Sequence, residues 1–333
     1  MNNRGLIFSA VWILTSSLVW AQSEGEGSSS SSLASEPAQV LQTQAKPTTP
    51  KVSPLKASFD SYFFDLQGER PEETGQYEFG DTRLHMQVMS LSYQLNPSWT
   101  LMAAATYMDT YVVTRLLQLG ISSNDRTQGL SDTVVSAIHT KVFSPNFLLM
   151  TDFGLSLPTG SIDEKNKSNP SVNYPYNMQL GSGTVDQSVG ITPLWIGNGY
   201  QVGGRFSALL RTGGFNENGY RLGNQYRTDA WLDIPVGSTG LVPRLVGYYR
   251  HREAIRGEDS TLRDDFSRDF LKFYYHSQMN WDVSAALKYM VNFTPTLSLK
   301  AEAGVPLAQE NINIEDVAIY SEYYGNIGLS GSF

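Results

Sequence analysis

The chain has 333 residues, no cysteine, and a formal net charge of −8 at pH 7 from 24 basic and 32 acidic residues. Without cysteine there is neither a disulfide framework nor a lipid-modified cysteine, and the acidic balance argues against a nucleic-acid partner. Past the first twenty residues no segment approaches ~18 consecutive apolar residues, which excludes a helical membrane protein.

Met1 to Gly5 carries one cation, Arg4, and an apolar stretch follows from Leu6 to Leu18. Val19-Trp20-Ala21 then places a β-branched residue at −3 and Ala at −1. This predicts an export signal over residues 1–21, cleaved after Ala21. The apolar run is shorter than the ~20 residues that an uncleaved anchor helix requires. Residues 22–54 change character: Ser28 to Ser32 is an unbroken serine run, and Pro37, Pro47, Pro50 and Pro54 follow. Such a composition buries too little apolar surface to offset chain entropy, so a disordered periplasmic lead-in is expected. Binding of a partner, or plugging of a lumen, is the alternative for it.

From residue 55 to the end the pattern is that of strands. Weak period-2 stripes lie near Ala57–Asp65, Tyr77–Leu95, Trp99–Thr114, Asp132–Phe143, Phe147–Leu157, Gln187–Ile196 and Leu241–Arg250. Stronger ones set Val202 and Phe206 against Gln201, Arg205 and Arg211, and Tyr226, Ala230 and Leu232 against Arg227, Asp229 and Asp233. The second of these is expected to run unbroken from Tyr220 to Ile234. Trp281, Val283, Leu287 and Tyr289 oppose Asn280, Asp282, Ser284 and Lys288, and Leu297, Leu299 and Ala303 oppose Ser298, Lys300 and Glu302. The last stripe, Tyr323, Gly325, Ile327, Leu329 and Gly331, ends on Phe333. Alternation over ten or more residues is long for a soluble strand and right for a tilted membrane strand. The expectation is all-β: a transmembrane antiparallel β-barrel of about twelve strands over residues 55–333, closed by an aromatic carboxyl terminus. Short turns at Asn96-Pro97-Ser98, Ser144-Pro145-Asn146, Gly197-Asn198 and Gly237-Ser238-Thr239 belong on the periplasmic side. Long connections near 115–131, 158–186, 251–275 and 308–321 belong outside.

Gly154-Leu155-Ser156-Leu157-Pro158-Thr159-Gly160-Ser161 leads through Asp163 to Tyr174-Pro175-Tyr176-Asn177-Met178-Gln179-Leu180-Gly181-Ser182-Gly183-Thr184. Asn218-Gly219-Tyr220-Arg221-Leu222-Gly223-Asn224 follows, and Ala303-Gly304-Val305-Pro306 ends the penultimate strand. With Gly129-Leu130-Ser131-Asp132, these motifs resemble those of the outer-membrane transporters grouped as the MetA-pathway of phenol degradation family. The resemblance runs from about residue 80 to the end and departs at Ser131, at the serine-rich lead-in and in the acidic 252–270 segment. It implies a pore or channel and says little about cargo.

The 158–186 segment is too long for an idle turn. It is expected to be either an external turn-rich loop or a loop folded inward to narrow the lumen, with Asp163, Tyr174, Tyr176, Gln179 and Asp186 as its candidate constriction residues. Asp163, Glu164 and Asp186 match no metal-loop spacing, and no metal or other cofactor is implied. The inward parity carries the selectivity expectation: Arg83, Arg205, Arg211, Arg221, Arg227, Arg244, Arg250, Lys288 and Lys300 against Asp152, Asp229, Asp233, Asp282 and Glu302. Fixed charges of this surplus would favour anionic solutes, whereas cross-strand pairing would neutralise them. Arg227 with Asp229, and Lys300 with Glu302, are candidate pairs.

A twelve-stranded outer-membrane hydrolase needs a Ser and a His on the lipid face. His85 and His139 fall on the inward parity, His251 and His276 at loop edges, and Gly181-Ser182-Gly183 lacks the nucleophile-elbow spacing. No catalytic residue is assigned. The reading is a barrel exported to the outer membrane of a Gram-negative bacterium, among lipid, passing small anionic or aromatic solutes by passive diffusion like a porin. A structural or surface-binding barrel is the alternative, and a hydrolase the weaker one.

Overall fold

The computed structural model describes residues 54–69, 77–116, 121–167, 170–174, 176–262, 278–294, 296–312 and 318–333. The expected signal over 1–21 and all of the expected lead-in but Pro54 lie outside these residues. Fifteen strands run in chain order: β1 (Leu55–Glu69), β2 (Tyr77–Asn96), β3 (Trp99–Leu116), β4 (Ile121–Leu130), β5 (Thr133–Ser144), β6 (Phe147–Leu157), β7 (Asp186–Ile196), β8 (Gln201–Leu210), β9 (Tyr220–Arg221), β10 (Gln225–Asp233), β11 (Leu241–Arg252), β12 (Arg256–Gly257), β13 (Gln278–Thr294), β14 (Leu297–Ile312) and β15 (Ala318–Ser332). Twelve of them, β1, β2, β3, β5, β6, β7, β8, β10, β11, β13, β14 and β15, pair in sequence, each antiparallel to the next. β15 returns to β1, with Phe59 opposite Leu329 and Phe64 opposite Tyr324. The N–H of Phe333 donates to the carbonyl of Leu55 at 3.0 Å beside this seam. The fold is a closed twelve-stranded transmembrane barrel, which leaves no unpaired sheet edge in its wall.

Period-2 alternation decides which face each side chain takes. Outward, Phe59, Leu91, Leu101, Phe153, Ile191, Val202, Phe206, Leu245, Leu287, Ile327 and Leu329 are exposed. Trp99, Phe143, Trp195, Tyr200 and Phe293 gather toward the short-turn end as an aromatic girdle. Inward, the two halves of the wall differ. β1, β2, β3, β5 and β15 present Tyr62, Phe64, Leu84, Met86, Val88, Met102, Met108, Val134, Ile138 and Tyr324, which form one buried apolar cluster. Toward the short-turn end of the other half, Leu148, Met150, Leu194, Ile196, Trp231 and Val246 form a second. The remaining inner wall is polar, with serines, threonines and asparagines among the buried charges.

Three expectations are corrected. The 115–131 stretch is not a long loop: β4 lies there and pairs with the outer part of β3, from Tyr107↔Leu130 to Leu116↔Ile121. β5 takes over as the partner of β3 between Trp99 and Ala104, after a break at Ser131-Asp132. The 308–321 connection is also shorter, because β14 runs to Ile312 and β15 begins at Ala318. The stripe from Tyr220 to Ile234 is not one strand: β9 leaves the wall and pairs with β12, and only β10 belongs to the barrel. Tyr220 and Leu222 are accordingly buried in a loop cluster instead of facing lipid.

Filling a barrel with large side chains requires small residues where they cross. Gly190 on β7 lies beneath Asp152 and Arg205, so that any Cβ there would collide with both. Replacing Gly190 by Val should destabilise the barrel by roughly 1–3 kcal/mol, the usual cost of overpacking. Urea unfolding of the refolded protein would register this as a lower midpoint; an unchanged midpoint would show that the interior is loosely packed.

Candidate functional site

The expected inward carboxylates and most of the expected cations do face the lumen, where they are buried. Arg205 on β8 donates to Asp152 on β6 at 2.9 and 3.1 Å, and to the Thr192 hydroxyl at 3.1 Å. Arg227 donates to Asp229 two residues along β10, as the spacing suggests. Lower in the barrel a network forms around Asp233: Arg244 at 2.9 Å, Lys288 at 2.9 Å, and Glu302 at 3.6 Å from Arg244. Side chains of Asp233, Arg244 and Lys288 are all 0% exposed, so water does not pass between them here. Lys300 lies 3.6 Å from Asp60, a β1 carboxylate that sequence reading did not single out. Asp60 precedes Tyr62 and Phe64 on the inward parity, while Phe59 and Phe63 lie on the other, so polarity gave no clear signal.

Counting only buried side chains on the barrel strands, the cations are Arg205, Arg227, Arg244, Lys288 and Lys300. The anions are Asp60, Asp152, Asp186, Asp229, Asp233, Asp282 and Glu302. The expected inward surplus of positive charge is therefore not present in this buried set. Arg83 is on the outer face beside Asp65 at 3.9 Å, with its side chain 66% exposed. His85 and His139 are outward too, stacked on Phe63 and beside Trp99 respectively. Their strands carry apolar residues on both faces, so polarity misreports the parity. Arg221 lies on β9 above the wall and reaches the Gly213 carbonyl at 3.4 Å. Arg250 is half-buried on β11, and Asp282 accepts from Ser284 at 2.5 Å.

Above this charged layer the 158–185 loop crosses the mouth. Its first anchor is Asp132, at the break between β4 and β5. One oxygen of Asp132 accepts from the Gly160 N–H at 3.0 Å; the other accepts from the N–H and hydroxyl of Ser182 at 2.9 and 2.7 Å. Burial raises the Asp132 pKa against these hydrogen bonds, which favour the ionised form. Close by, Arg211 at the end of β8 donates to Asp186 at 2.7 Å, and Asp186 also accepts from Thr184.

The loop then spans the barrel from one side to the other. Tyr174 and Met178 pack against Val112 of β3, and the Tyr174 hydroxyl donates to Asp125 of β4 at 3.0 Å. Burial is the main cause pushing the Tyr174 phenol up to about 12. On the far side Tyr176 packs with Tyr220, Leu222, Ile255 and Leu262, from the connections that follow β8 and β11. Its ring lies 4.5 Å from that of Tyr220, and its hydroxyl accepts from the Asp259 N–H at 3.2 Å. Gln179 is buried and braces the loop from within, through Glu164 and the Tyr174 carbonyl. Asp163 is exposed, and its carboxylate accepts from the Asn218 amide at 3.0 Å. Among the described residues no group of three or more metal-ligating side chains forms.

A family model described as "Putative MetA-pathway of phenol degradation" matches residues 68–320. The chain belongs to this family. Members of the MetA-pathway of phenol degradation family thus include a chain with this closed barrel. No curated protein sequence matches this one. An outer membrane channel from Pseudomonas putida F1 is similar in fold, with a TM-score of 0.55 at 15% identity, over 87% of this chain and 100% of that one. The β domain of the Bordetella autotransporter BrkA aligns with a TM-score of 0.47 at 10% identity, over 84% of this chain and 99% of that one. A KdgM porin aligns at 0.39 and 10% identity, over 83% and 99%.

Asp132 holds two distant points of the loop, Gly160 and Ser182, with three hydrogen bonds, two of them from the same residue. Bonds to a charged group contribute about 1.5–3 kcal/mol each. Asp132→Ala should therefore free the loop while leaving the barrel folded. Limited proteolysis of the refolded variant should cut between residues 160 and 182 at least tenfold faster than in the parent chain; equal rates would mean that the loop is held elsewhere.

Proposed function

We propose that this protein is an outer-membrane channel for small solutes whose lumen is closed in the state described and opened by movement of the 158–185 loop. The observation that carries this reading is the loop itself. It crosses the mouth from β3 to the β8 and β11 connections, with its base tied by three hydrogen bonds to Asp132. An element built only to support the barrel would have no need to span it.

The interior suggests the kind of solute. One half of the wall is apolar and rich in methionine, with Met86, Met102 and Met108; the other carries arginines and lysines, each held by a carboxylate. Methionine side chains adapt to irregular apolar shapes and favour aromatic contacts. An aromatic or otherwise apolar solute with a small anionic group satisfies both sides. Arg205, Arg227, Arg244, Lys288 and Lys300 would meet its anionic end by leaving their partners Asp152, Asp229, Asp233, Glu302 and Asp60. Arg211 and Arg221 would meet it at the mouth. Tyr174, Tyr176, Gln179 and Asp186 would act in the loop that admits it. Passage is passive in this reading, and the residue 1–21 signal delivers the chain to the outer membrane.

Recordings in a planar bilayer across a salt gradient test the proposal. The parent chain should show brief, infrequent steps, and Asp132→Ala should raise the open probability several-fold. With most wall charges paired, the reversal potential should show only a weak anion preference. A folded Asp132→Ala barrel without conductance would remove the loop as the gate.

A further inference from the structure

Of the buried carboxylates on the barrel strands, all but one are paired with a cation. Asp60, Asp152, Asp186, Asp229, Asp233 and Glu302 each have a lysine or arginine nitrogen within 3.6 Å. Asp282 is the exception. It is 1% exposed, and among the described residues it forms no ion pair. Its Oδ1 accepts from the Ser284 hydroxyl at 2.5 Å, and its Oδ2 has no hydrogen-bond partner among those residues. Two residues back along the inward face of β13, Asn280 is 5% exposed, and its Oδ1 is likewise without a partner there. An ionised carboxylate out of water is costly unless a cation meets it, and the Ser284 hydroxyl offsets only part of that cost.

The ladder fixes what surrounds these two acceptors. Tyr248 on β11 is directly opposite Asp282, and Arg250 is directly opposite Asn280. Across the other edge of β11, Asp229 faces Tyr248 and Arg227 faces Arg250. Two neighbouring rungs thus carry Asp229, Tyr248 and Asp282 in one row, and Arg227, Arg250 and Asn280 in the next. On β14, Gln309 is opposite Asp282 and adds no charge. Arg227 lies over the Tyr248 ring at 5.2 Å and is held by Asp229 through its Nε at 2.6 Å. That pair is neutral. Beside it the two rungs present one carboxylate, Asp282, and one guanidinium, Arg250, on adjacent strands.

We propose that Asp282 and Asn280 form an ammonium subsite in the lumen, and that the solute of this channel is a zwitterion. The inference rests on the channel reading for the solute's route to the site, and it narrows the solute's class. A primary ammonium brings one positive charge and three N–H donors, enough to serve Asp282 Oδ2 and Asn280 Oδ1 together. Residues two apart on a strand are roughly 6–7 Å apart, a gap that one nitrogen with two hydrogen bonds of ~2.9 Å spans. The solute's carboxylate then falls to Arg250, about 5 Å across the ladder from Asn280, with Arg227 beside it. Both charges arriving together leave the two rungs neutral. A lone cation or a lone anion would instead leave a net charge out of water. A divalent metal is a poorer occupant, because these few oxygens on one strand fall short of the ~6–8 that calcium takes.

The test is equilibrium dialysis of the full refolded chain in detergent against three probes of similar shape. They are phenylalanine, 3-phenylpropionate, which lacks the ammonium, and 2-phenylethylammonium, which lacks the carboxylate. Phenylalanine should bind about tenfold tighter than either, or more, since a hydrogen bond to a charged group is worth at least that factor. Asp282→Asn should bring phenylalanine down to the affinity of 3-phenylpropionate, and leave 3-phenylpropionate itself unchanged or tighter. Folding of the variant is checked by its gel mobility before and after heating, and the ranking on the parent chain needs no variant. A parent chain that binds 3-phenylpropionate as tightly as phenylalanine, or binds none of the three, overturns the inference. So does a folded Asp282→Asn chain that keeps the full preference. Binding at equilibrium does not depend on conductance, so a silent bilayer beside Asp282-dependent binding would count against the channel reading alone.

Discussion

A charged side chain that points into a barrel this narrow cannot keep its hydration shell, and ionised groups out of water are costly unless paired. The inner wall meets that constraint residue by residue, with Arg205 on Asp152, Arg227 on Asp229, and Arg244 and Lys288 sharing Asp233. Much else depends on it. Gly190 is small because the Asp152–Arg205 pair passes over it. Most of the pairs reach across an intervening strand, from β8 to β6, from β13 to β10 and from β14 to β1, and so tie the wall together on the lumen side.

The mouth follows a different rule. β3 extends past the rim with β4, while β6 stops at Leu157, opposite Thr133. At that step the chain breaks at Ser131-Asp132, and the exposed backbone ends of the 158–185 loop are gathered by the Asp132 carboxylate. The loop is thus fastened at its base by Asp132 and held farther out by aromatic packing and by hydrogen bonds of Tyr174 to Asp125 and of Asn173 to Asp259.

Strand order and barrel closure were legible because lipid on one face and charge on the other enforce strict alternation, most clearly on β8, β10, β13 and β14. Where both faces are apolar the signal fails. On β2, Leu84, Met86 and Val88 point inward while Met89, Leu91 and Tyr93 point outward, so the hydrophilic residues His85 and Arg83 were assigned to the wrong side. Tyr220 and Leu222 continue the parity of β10 but pack in the mouth, because a tertiary cluster with Tyr176 outweighs local alternation. Partner choice was legible only within a strand: Arg227 finds Asp229 two residues on, whereas Lys300 reaches Asp60, 240 positions back in the chain.

The central claim is that the 158–185 loop closes the channel and that Asp132 fastens it. Since the chain has no cysteine, Asp132→Cys with Ser182→Cys introduces a single reducible tether between two side chains already in contact. Single-channel recording of this double variant, oxidised and then reduced on the same bilayer, is the direct measurement. A silent oxidised channel that opens in discrete steps on reduction is the predicted result. Identical conductance in the two states would contradict the account.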